Sequence, residues 1–255
     1  NPAVRACLVS LCLLACLPDD AGPGPILEAA GMTLASDLQA GPMRQAAGAV
    51  VAITQPRSPL AGATGFYVAP DRVLTNAHVV RGLGCPMRCP SLLLWRHGVD
   101  AERPPDVRQG VTVLAIDDAL DVAILVPDDP HDVLPLRPTR LDDLDGELTA
   151  LGHPGLGLLV ATEFDDAERL FEDVLHAGHA VGGHSGSPVL DAEGRVASIL
   201  HSSLPAHALG ASVSVREVMA RWPGIFEARV ELPAETAPVE AAPRMARVRS
   251  CLSGQ

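Results

Sequence analysis

From Gly48 onwards, short apolar runs alternate with clusters of glycine, proline and aspartate. Short runs rich in valine, leucine and isoleucine between turn residues are typical of β-strands. The runs predict strands at 48–54, 64–68, 72–75, 91–96, 111–116 and 122–126, and again at 148–151, 158–162, 188–190, 196–200 and 211–215. Many short strands with almost no helical period predict an all-β sandwich or barrel.

An acidic, proline-bearing stretch from Asp128 to Asp145 divides the predicted strands into two sets. We therefore expect one domain at 48–225 with two β lobes, at about 48–130 and 146–225. A short helix is expected at 25–38, inside an N-terminal extension at 21–47, and a closing helix at 215–222. Residues 226–255, rich in proline and alanine, are predicted to be a disordered tail.

The composition narrows the class of function. Hydrophobic residues make up 47% of the chain but aromatic residues only 3%, so the core must be mainly aliphatic. The net charge of -12 argues against nucleic acid as a partner, because phosphate binding requires clustered cations.

The first 20 residues resemble an export leader. An apolar run to Leu17 follows a single cation, Arg5, and is too short to span a bilayer comfortably. The segment ending at Cys16 also resembles a lipoprotein cleavage box, in which that cysteine would carry lipid and tether the protein to the membrane; an ordinary signal peptide is the alternative. We expect the protein in the periplasm, outside the cell, or lipid-anchored at the bacterial envelope.

Two cysteines, Cys85 and Cys89, bracket a short loop. In an exported chain such a pair is expected to form a small disulfide. A zinc site is the alternative, but the sequence offers no second pair of ligands at suitable spacing. We expect neither a metal nor a cofactor.

The glycine-flanked Ser185 is the strongest candidate for chemistry. It lies in Gly182-Gly183-His184-Ser185-Gly186-Ser187-Pro188, ahead of an apolar strand. A tight glycine loop lets a hydroxyl protrude and lets backbone N–H groups, here those of Gly183 and Ser185, converge on a developing oxyanion. The alternative is an ordinary glycine-rich turn between strands.

His78 is the candidate base. It follows the apolar run Arg72-Val73-Leu74-Thr75-Asn76-Ala77, and a serine hydroxyl needs a neighbouring base to become a good nucleophile. Imidazole titrates in the useful range. The alternative is a histidine packed at a strand end.

Asp121 is the candidate acid, because it leads into the fully apolar Val122-Ala123-Ile124-Leu125-Val126. A carboxylate there is costly to bury without partners, and it is stabilised by accepting a hydrogen bond from histidine Nδ1. Asp117 and Asp118 are rivals, but they precede a turn and are expected to be solvated.

Together these segments resemble the trypsin-like serine peptidases, particularly the bacterial branch with HtrA/Deg proteases and glutamyl endopeptidases. VLTNAHVV is similar to that branch's histidine motif, DVAIL to its aspartate motif, GHSGSPV to its serine motif, and ALGHPG to a turn before its specificity region. The resemblance covers about 48–222. It implies two six-stranded antiparallel β-barrels with a C-terminal helix, and a triad of His78, Asp121 and Ser185 in the cleft between the barrels.

The departures from that family also carry expectations. His184 stands where animal trypsins carry the aspartate that pairs with a newly cut N-terminus, so the resemblance implies another route to activity. The sequence leaves no room for a PDZ domain after Trp222, and regulation by one is not expected.

The resemblance implies a protein or peptide substrate and places the pocket for the P1 side chain, the one before the cleaved bond. Glutamyl endopeptidases hold an acidic P1 side chain with a histidine near the substrate-pairing edge strand, so we expect an acidic or small polar P1 here. The alternative is that His176, His179 and His201 are surface polar residues. The resemblance thus assigns substrate binding to His179, His201, Ser202, Ser203 and Gly210.

Two other functions remain open at this point. An α/β-hydrolase esterase is suggested by Gly183-His184-Ser185-Gly186, although Ser187 stands where the nucleophile elbow needs glycine. A protease fold that has lost activity and serves as a binding module is the second, because a fold alone does not determine function.

Overall fold

The computed structural model describes residues 31–56, 58–85, 87–97, 104–139, 147–154, 158–164, 167–170, 173–177, 182–204 and 209–227. The predicted leader and nearly all of the predicted tail lie outside these ranges. No helix among the described residues is long and apolar enough to cross a membrane.

The described secondary structure is mainly strand, as the sequence predicts. The strands are β1 (Met32–Leu34), β2 (Val50–Gln55), β3 (Ser58–Ala69), β4 (Arg72–Thr75), β5 (Arg88–Arg96), β6 (Asp106–Asp117), β7 (Val122–Pro127), β8 (Leu148–Gly152), β9 (Val160–Phe164), β10 (Ala167–Leu170), β11 (Asp173–Ala177), β12 (Pro188–Leu190), β13 (Val196–Leu204) and β14 (Leu209–Ser214). The helices are α1 (Pro42–Ala47), α2 (Ala77–Gly82) and α3 (Val215–Arg221).

The first lobe is a closed six-stranded barrel in the order β2-β3-β4-β7-β6-β5, which confirms the predicted first barrel. All of its neighbouring strands are antiparallel. Phe66, Leu74 and Ile124 are completely buried inside it. The apolar runs of the sequence therefore share one interior, and the end of β4 lies beside the start of β7, where Thr75 pairs with Ala123.

The second lobe is an antiparallel sheet in the order β1-β9-β8-β12-β13-β14-β11-β10. Among the described residues this sheet has eight strands and is not closed, whereas the sequence predicted a second six-stranded barrel. Three of its strands, β1, β10 and β11, are not among the predicted runs, and β1 and β10 lie at the two ends of the sheet. The all-β class and the two lobes are as predicted; the second lobe is larger and more open.

The helix expected at 25–38 is wrong for its described part. Met32–Leu34 forms β1, and Ala35–Asp37 forms a short 3-10 helix. The register joins Met32 to Thr162 on β9, and the Ala35 N–H donates to the Leu159 carbonyl at 2.9 Å. Pairing with the free edge of β9 outweighs a weak local helix preference.

The closing helix agrees with the sequence to within one residue. It begins after Ser214, whose hydroxyl accepts a hydrogen bond from the Arg216 N–H at 3.3 Å, as expected of an N-cap. Val218, Trp222 and Ile225 are buried in the main hydrophobic core. The helix thus anchors the end of the second lobe.

The stretch between the lobes starts at a buried polar cluster. The Tyr67 hydroxyl lies 2.9 Å from His131 Nδ1 and accepts from the His131 backbone N–H at 3.1 Å. His131 Nε2 lies 3.0 Å from the Asp106 carbonyl, which only accepts, so the ring is the Nε2–H tautomer. Burial lowers the pKa of His131, consistent with a neutral ring.

Cys85 and Cys89 form a disulfide in the structure, with their Cα atoms 5.6 Å apart. The bridge follows α2, and the Cys85 N–H donates to the Val80 carbonyl at 3.0 Å. The loop after the histidine-bearing helix is thereby tied to the start of β5.

Candidate active site

His78 and Asp121 are in direct contact. His78 Nδ1 lies 2.7 Å from Asp121 Oδ2, and the His78 backbone N–H donates to Asp121 Oδ1 at 2.9 Å. A carboxylate oxygen accepts from the ring, so Nδ1 is the donor, and in the neutral imidazole Nε2 is then the nitrogen with the lone pair. The ring is half exposed, which leaves it accessible to a reacting partner. The pair is therefore arranged as a general base and its orienting acid.

The backbone of Asp121 is held in an uncommon conformation. Its φ of 52° is in the left-handed region, and it is the one non-glycine residue with positive φ among the described residues. Such a conformation costs on the order of 1–3 kcal/mol and persists only where the surroundings impose it. The Asn76 side chain donates to the Asp121 carbonyl at 2.9 Å, so the backbone of this residue is held as well as its carboxylate. The turn thus presents both carboxylate oxygens to His78.

Of the two rival carboxylates, only Asp118 is exposed as expected. The side chain of Asp117 is only 12% exposed and accepts a hydrogen bond from the Leu120 N–H at 2.9 Å, so its predicted solvation is wrong. Among the described residues, neither carboxylate forms a hydrogen bond or ion pair with His78. Asp121 is the carboxylate that the structure brings to the imidazole.

The Ser185 loop is fastened to the first barrel by Thr64 of β3. The Thr64 N–H donates to the Ser185 carbonyl at 2.8 Å, and its hydroxyl donates to the Gly183 carbonyl at 2.9 Å. Thr75, at the end of β4 and three positions before His78, donates from its hydroxyl to the Thr64 carbonyl at 2.8 Å. The serine loop therefore lies beside the strand end that leads to the histidine.

Gly186 packs tightly against Thr64 and Thr75 of the first barrel. Its φ is 83°, and a Cβ there would overlap the Thr64 carbonyl and the Thr75 hydroxyl. Its N–H donates to the Leu200 carbonyl at 2.8 Å. Only glycine satisfies both the backbone conformation and the space.

Replacing Gly186 with alanine is expected to lower the free energy of unfolding by at least about 2 kcal/mol, because the methyl group adds overlap to backbone strain. Gly182→Ala is the matched control: a Cβ at Gly182 meets nothing within 4 Å, and we expect a change within about 0.5 kcal/mol. Urea unfolding of both variants checks this. Equal stability of the two would contradict the close approach at Gly186.

Two backbone donors remain unused next to Ser185. Among the described residues, neither the Gly183 nor the Ser185 N–H has an acceptor, and the φ of Gly183 is 98°. These are the donors that the sequence assigned to an oxyanion. Within the same residues no hydrogen bond joins His78 Nε2 to Ser185 Oγ; such contacts are often long before substrate binds.

His184, directly before Ser185, is buried and only 1% exposed. Neither ring nitrogen has a hydrogen-bond partner among the described residues. Burial lowers its pKa to about 4, so the ring is neutral at pH 7. The position that resembles the aspartate of animal trypsins is thus occupied by an uncharged, desolvated imidazole.

A second buried imidazole lies in the second lobe. His176 Nε2 lies 2.6 Å from Ser212 Oγ and 3.4 Å from Ser198 Oγ, and its ring stacks on Phe164 with centroids 4.9 Å apart. Burial, and then the neighbouring His201, lower the pKa of His176 to about 4. The alternative of a surface residue is wrong for His176.

These two histidines make a prediction about stability at low pH. In the unfolded chain both take up protons below about pH 6.5, whereas in the folded protein they do so only near pH 4. The unfolded state therefore binds more protons between these values, and the free energy of unfolding falls as the pH is lowered from 6.5 to 4. Each histidine is expected to contribute on the order of 3 kcal/mol to that fall.

Urea unfolding at pH 7 and pH 4.5 measures the fall, with His184→Asn as the comparison. The variant is expected to lose stability less steeply with falling pH than the unchanged protein, because one of the two groups is gone. Identical pH dependence in the two proteins would contradict the buried neutral state of His184.

The predicted substrate-binding residues are only partly described. His201 is buried, 4% exposed, with Nδ1 2.9 Å from Ser202 Oγ, so the surface alternative is wrong for it as well. Gly210 of β14 pairs with Ser203 on one side and with His176 on the other. His179 lies outside the described residues. The structure thus places His201, Ser202, Ser203 and Gly210 on neighbouring strands without showing contact with a substrate.

Three residues that organise the site were not singled out by the sequence: Thr64, Thr75 and Asn76. Each acts through a hydrogen bond to a residue at least 11 positions away. Asn76 and Thr75 stand in the segment that carries His78, which is the only local signal. Among the described residues, no three histidine, cysteine, aspartate or glutamate side chains converge as a metal site.

The sequence profile of the trypsin-like peptidase domain matches residues 63–199, more than half of the chain. The matched segment contains His78, Asp121 and Ser185. A search of curated protein sequences finds no match.

Solved structures with a similar fold include bacterial serine proteases. The active form of the Rv3671c protease from M. tuberculosis has 25% identity and a TM-score of 0.56, with 76% of this chain and 84% of that chain covered. The serine endoprotease from Yersinia pestis has 15% identity and a TM-score of 0.59, with 72% and 65% covered. The HtrA-type protease AlgW has 18% identity and a TM-score of 0.57, with 72% and 62% covered.

Proposed function

We propose that this chain, which belongs to the family of trypsin-like peptidase domains, is a serine endopeptidase that uses Ser185, His78 and Asp121. The observation that carries the proposal is the His78–Asp121 pair, which leaves Nε2 free as a base. The fastening of the Ser185 loop to β3 and β4 supports it, because those strands lead to the histidine.

In the proposed reaction, Ser185 Oγ attacks the carbonyl carbon of the scissile peptide bond while His78 Nε2 takes its proton. The carbonyl oxygen becomes negative and accepts hydrogen bonds from the N–H groups of Gly183 and Ser185. His78 then gives the proton to the leaving amine, and an acyl-enzyme remains on Ser185. Water attacks this ester with His78 again as base, the acyl group leaves as a carboxylic acid, and His78 returns the proton to Ser185 Oγ.

Asp121 stays ionised throughout this cycle. Its Oδ2 holds the Nδ1–H tautomer, and its negative charge stabilises the imidazolium that forms when Nε2 is protonated. Its Oδ1 fixes the start of α2 through the His78 backbone N–H. The same carboxylate thus sets both the position and the protonation of the base.

The esterase alternative loses its support in the observed topology. An α/β-hydrolase requires a mainly parallel sheet with alternating helices, whereas the named strands of both sheets pair antiparallel. The inactive binding module would have the same fold, so only a measurement of peptide cleavage distinguishes it from the proposed endopeptidase.

We further propose that the protein acts outside the cytoplasm. The Cys85–Cys89 disulfide supports this, since such bonds persist in oxidising compartments. The apolar segment ahead of Leu17 is the second support. The test is the redox state of Cys85 and Cys89 in protein recovered from a cell-envelope fraction. Recovery of both cysteines as free thiols would argue against the proposal.

Cleavage of a peptide library tests the proposed activity and its side-chain preference together. We expect internal peptide bonds to be cut by the unchanged protein and not by Ser185→Ala. A preference for acidic or small polar P1 residues would agree with the sequence-based expectation, whereas a uniform preference for arginine or large apolar residues would reject it. No cleavage by folded protein would favour the binding module.

A further inference from the structure

The turn that carries Asp121 is held by a carboxylate four residues before it. Asp117 closes the β6–β7 hairpin by pairing with Val122, and residues 118–121 form the turn between them. Asp117 Oδ1 accepts a hydrogen bond from the Leu120 N–H at 2.9 Å. The side chain of Asp117 therefore shapes the turn in which Asp121 adopts its left-handed backbone.

The other oxygen of Asp117 accepts a hydrogen bond from an arginine of α3. Arg221 Nε donates to Asp117 Oδ2 at 2.6 Å across a sequence separation of 104 residues. Arg221 is the last residue of α3, and its guanidinium carbon lies 5.9 Å from the centre of the Trp222 ring. The last helix of the second lobe thus reaches the turn that carries Asp121 in the first lobe.

A second ion pair in the same turn is more exposed to water than the pair of Arg221 with Asp117. Arg81 of α2 binds Asp118 of the same turn through Nε at 2.6 Å and through a second nitrogen, but the two side chains are 55% and 38% exposed. The Arg221 and Asp117 side chains are 28% and 12% exposed. Water screens the first pair, whereas loss of Arg221 leaves a largely buried carboxylate without its cation.

We propose that Arg221 and Asp117 are positioning residues, which act through the 118–121 turn to hold the Asp121 carboxylate against His78. The inference rests on the proposed function for its effect on catalysis. Within the described residues, no hydrogen bond or ion pair joins Arg221 to His78 or to the serine loop at 182–187, and its influence passes through Asp117, the Leu120 N–H and the backbone of Asp121. By this route α3 helps to hold Asp121 in its position against His78.

Arg221→Met is the test, because methionine keeps an unbranched apolar stem and removes the guanidinium. We expect kcat to fall about 10- to 100-fold while KM stays within about threefold, since a small displacement of the acid impairs the chemical step and leaves substrate binding intact. Arg221→Lys is expected to recover most of the loss. Asp118→Asn, which breaks the exposed pair in the same turn, is the matched control and should stay within about threefold.

A spectroscopic measurement separates this proposal from the proposed function. The proton between His78 Nδ1 and Asp121 should give a downfield NMR resonance that is retained in Asp118→Asn and broadened or shifted in Arg221→Met. This holds even if the protein cleaves nothing. Suppose the unchanged protein is active and Arg221→Met keeps both its kcat and its resonance. That result would overturn the positioning role and leave the endopeptidase proposal standing.

Asp117→Asn provides a second variant if Arg221→Met does not fold. It keeps an acceptor for the Leu120 N–H and removes the anion that Arg221 meets, and we expect the same selective loss of kcat. If circular dichroism shows that neither variant folds, the pair has a structural role and the positioning proposal is overturned.

Discussion

Replacing Ser185 with alanine is expected to lower kcat by about a million-fold. The loss is large because no other group attacks the carbonyl once the hydroxyl is gone, so the acyl-enzyme cannot form. Substrate binding should change little, because the loop keeps its position: Thr64 holds it through the backbone carbonyls of Ser185 and Gly183, which alanine retains. Initial rates on the best peptide from the library measure the effect.

Ser187→Ala is the matched control in the same loop. The Ser187 hydroxyl is buried and has no hydrogen-bond partner among the described residues, so its removal should leave kcat within a few-fold of the original. If Ser187→Ala were inactive and Ser185→Ala retained activity, the nucleophile would be wrongly assigned.

Replacing Asp121 with alanine is expected to be nearly as damaging, with kcat lowered by about 10⁴-fold or more. His78 would lose the partner of its Nδ1–H and the acceptor of its backbone N–H together. The wrong tautomer would then become accessible, and the imidazolium would lose its compensating charge.

Asp118→Ala is the comparison for Asp121, because it removes a carboxylate from the same turn. Its pair with Arg81 is exposed, and we expect a change in kcat of no more than about threefold. Rates of both variants on one substrate decide the matter. A large loss in Asp118→Ala with near-normal Asp121→Ala would transfer the role of the acid.

The first barrel and the contact of His78 with Asp121 were predictable because their signals are local. Apolar runs such as 72–75 and 122–126 are bounded by turn residues, and β4 and β7 occupy nearly the same positions. Asp121 stands out because a carboxylate directly before a buried strand needs a partner. The arrangement of His78 against Asp121 then follows from the pairing of β4 with β7.

The parts that were missed depend on long-range contacts. Val79 and Val80 favour a strand locally, but they lie in α2 and are buried. β1 exists because β9 offers a free edge, and nothing in the sequence of Met32–Leu34 announces that pairing. The hydroxyl of Thr64 and the guanidinium of Arg221 act across 119 and 104 positions, so no spacing in the sequence reveals their partners.

The burial of His176, His184 and His201 was also beyond the sequence. A histidine in a strand-rich sequence is equally compatible with a polar surface and with a desolvated interior, and only packing decides between them. Here all three are buried, and the serine hydroxyls beside His176 come from β13 and β14, more than twenty residues away.

The reaction of the folded protein with a fluorophosphonate, followed by mass-spectrometric mapping of the adduct, tests the central claim most directly. The account predicts one covalent adduct on Ser185, strongly slowed in His78→Ala and lost when the protein is unfolded before labelling. Folded protein that forms no adduct, or forms it on another residue, would contradict the assignment of Ser185 as a nucleophile activated by His78 and Asp121.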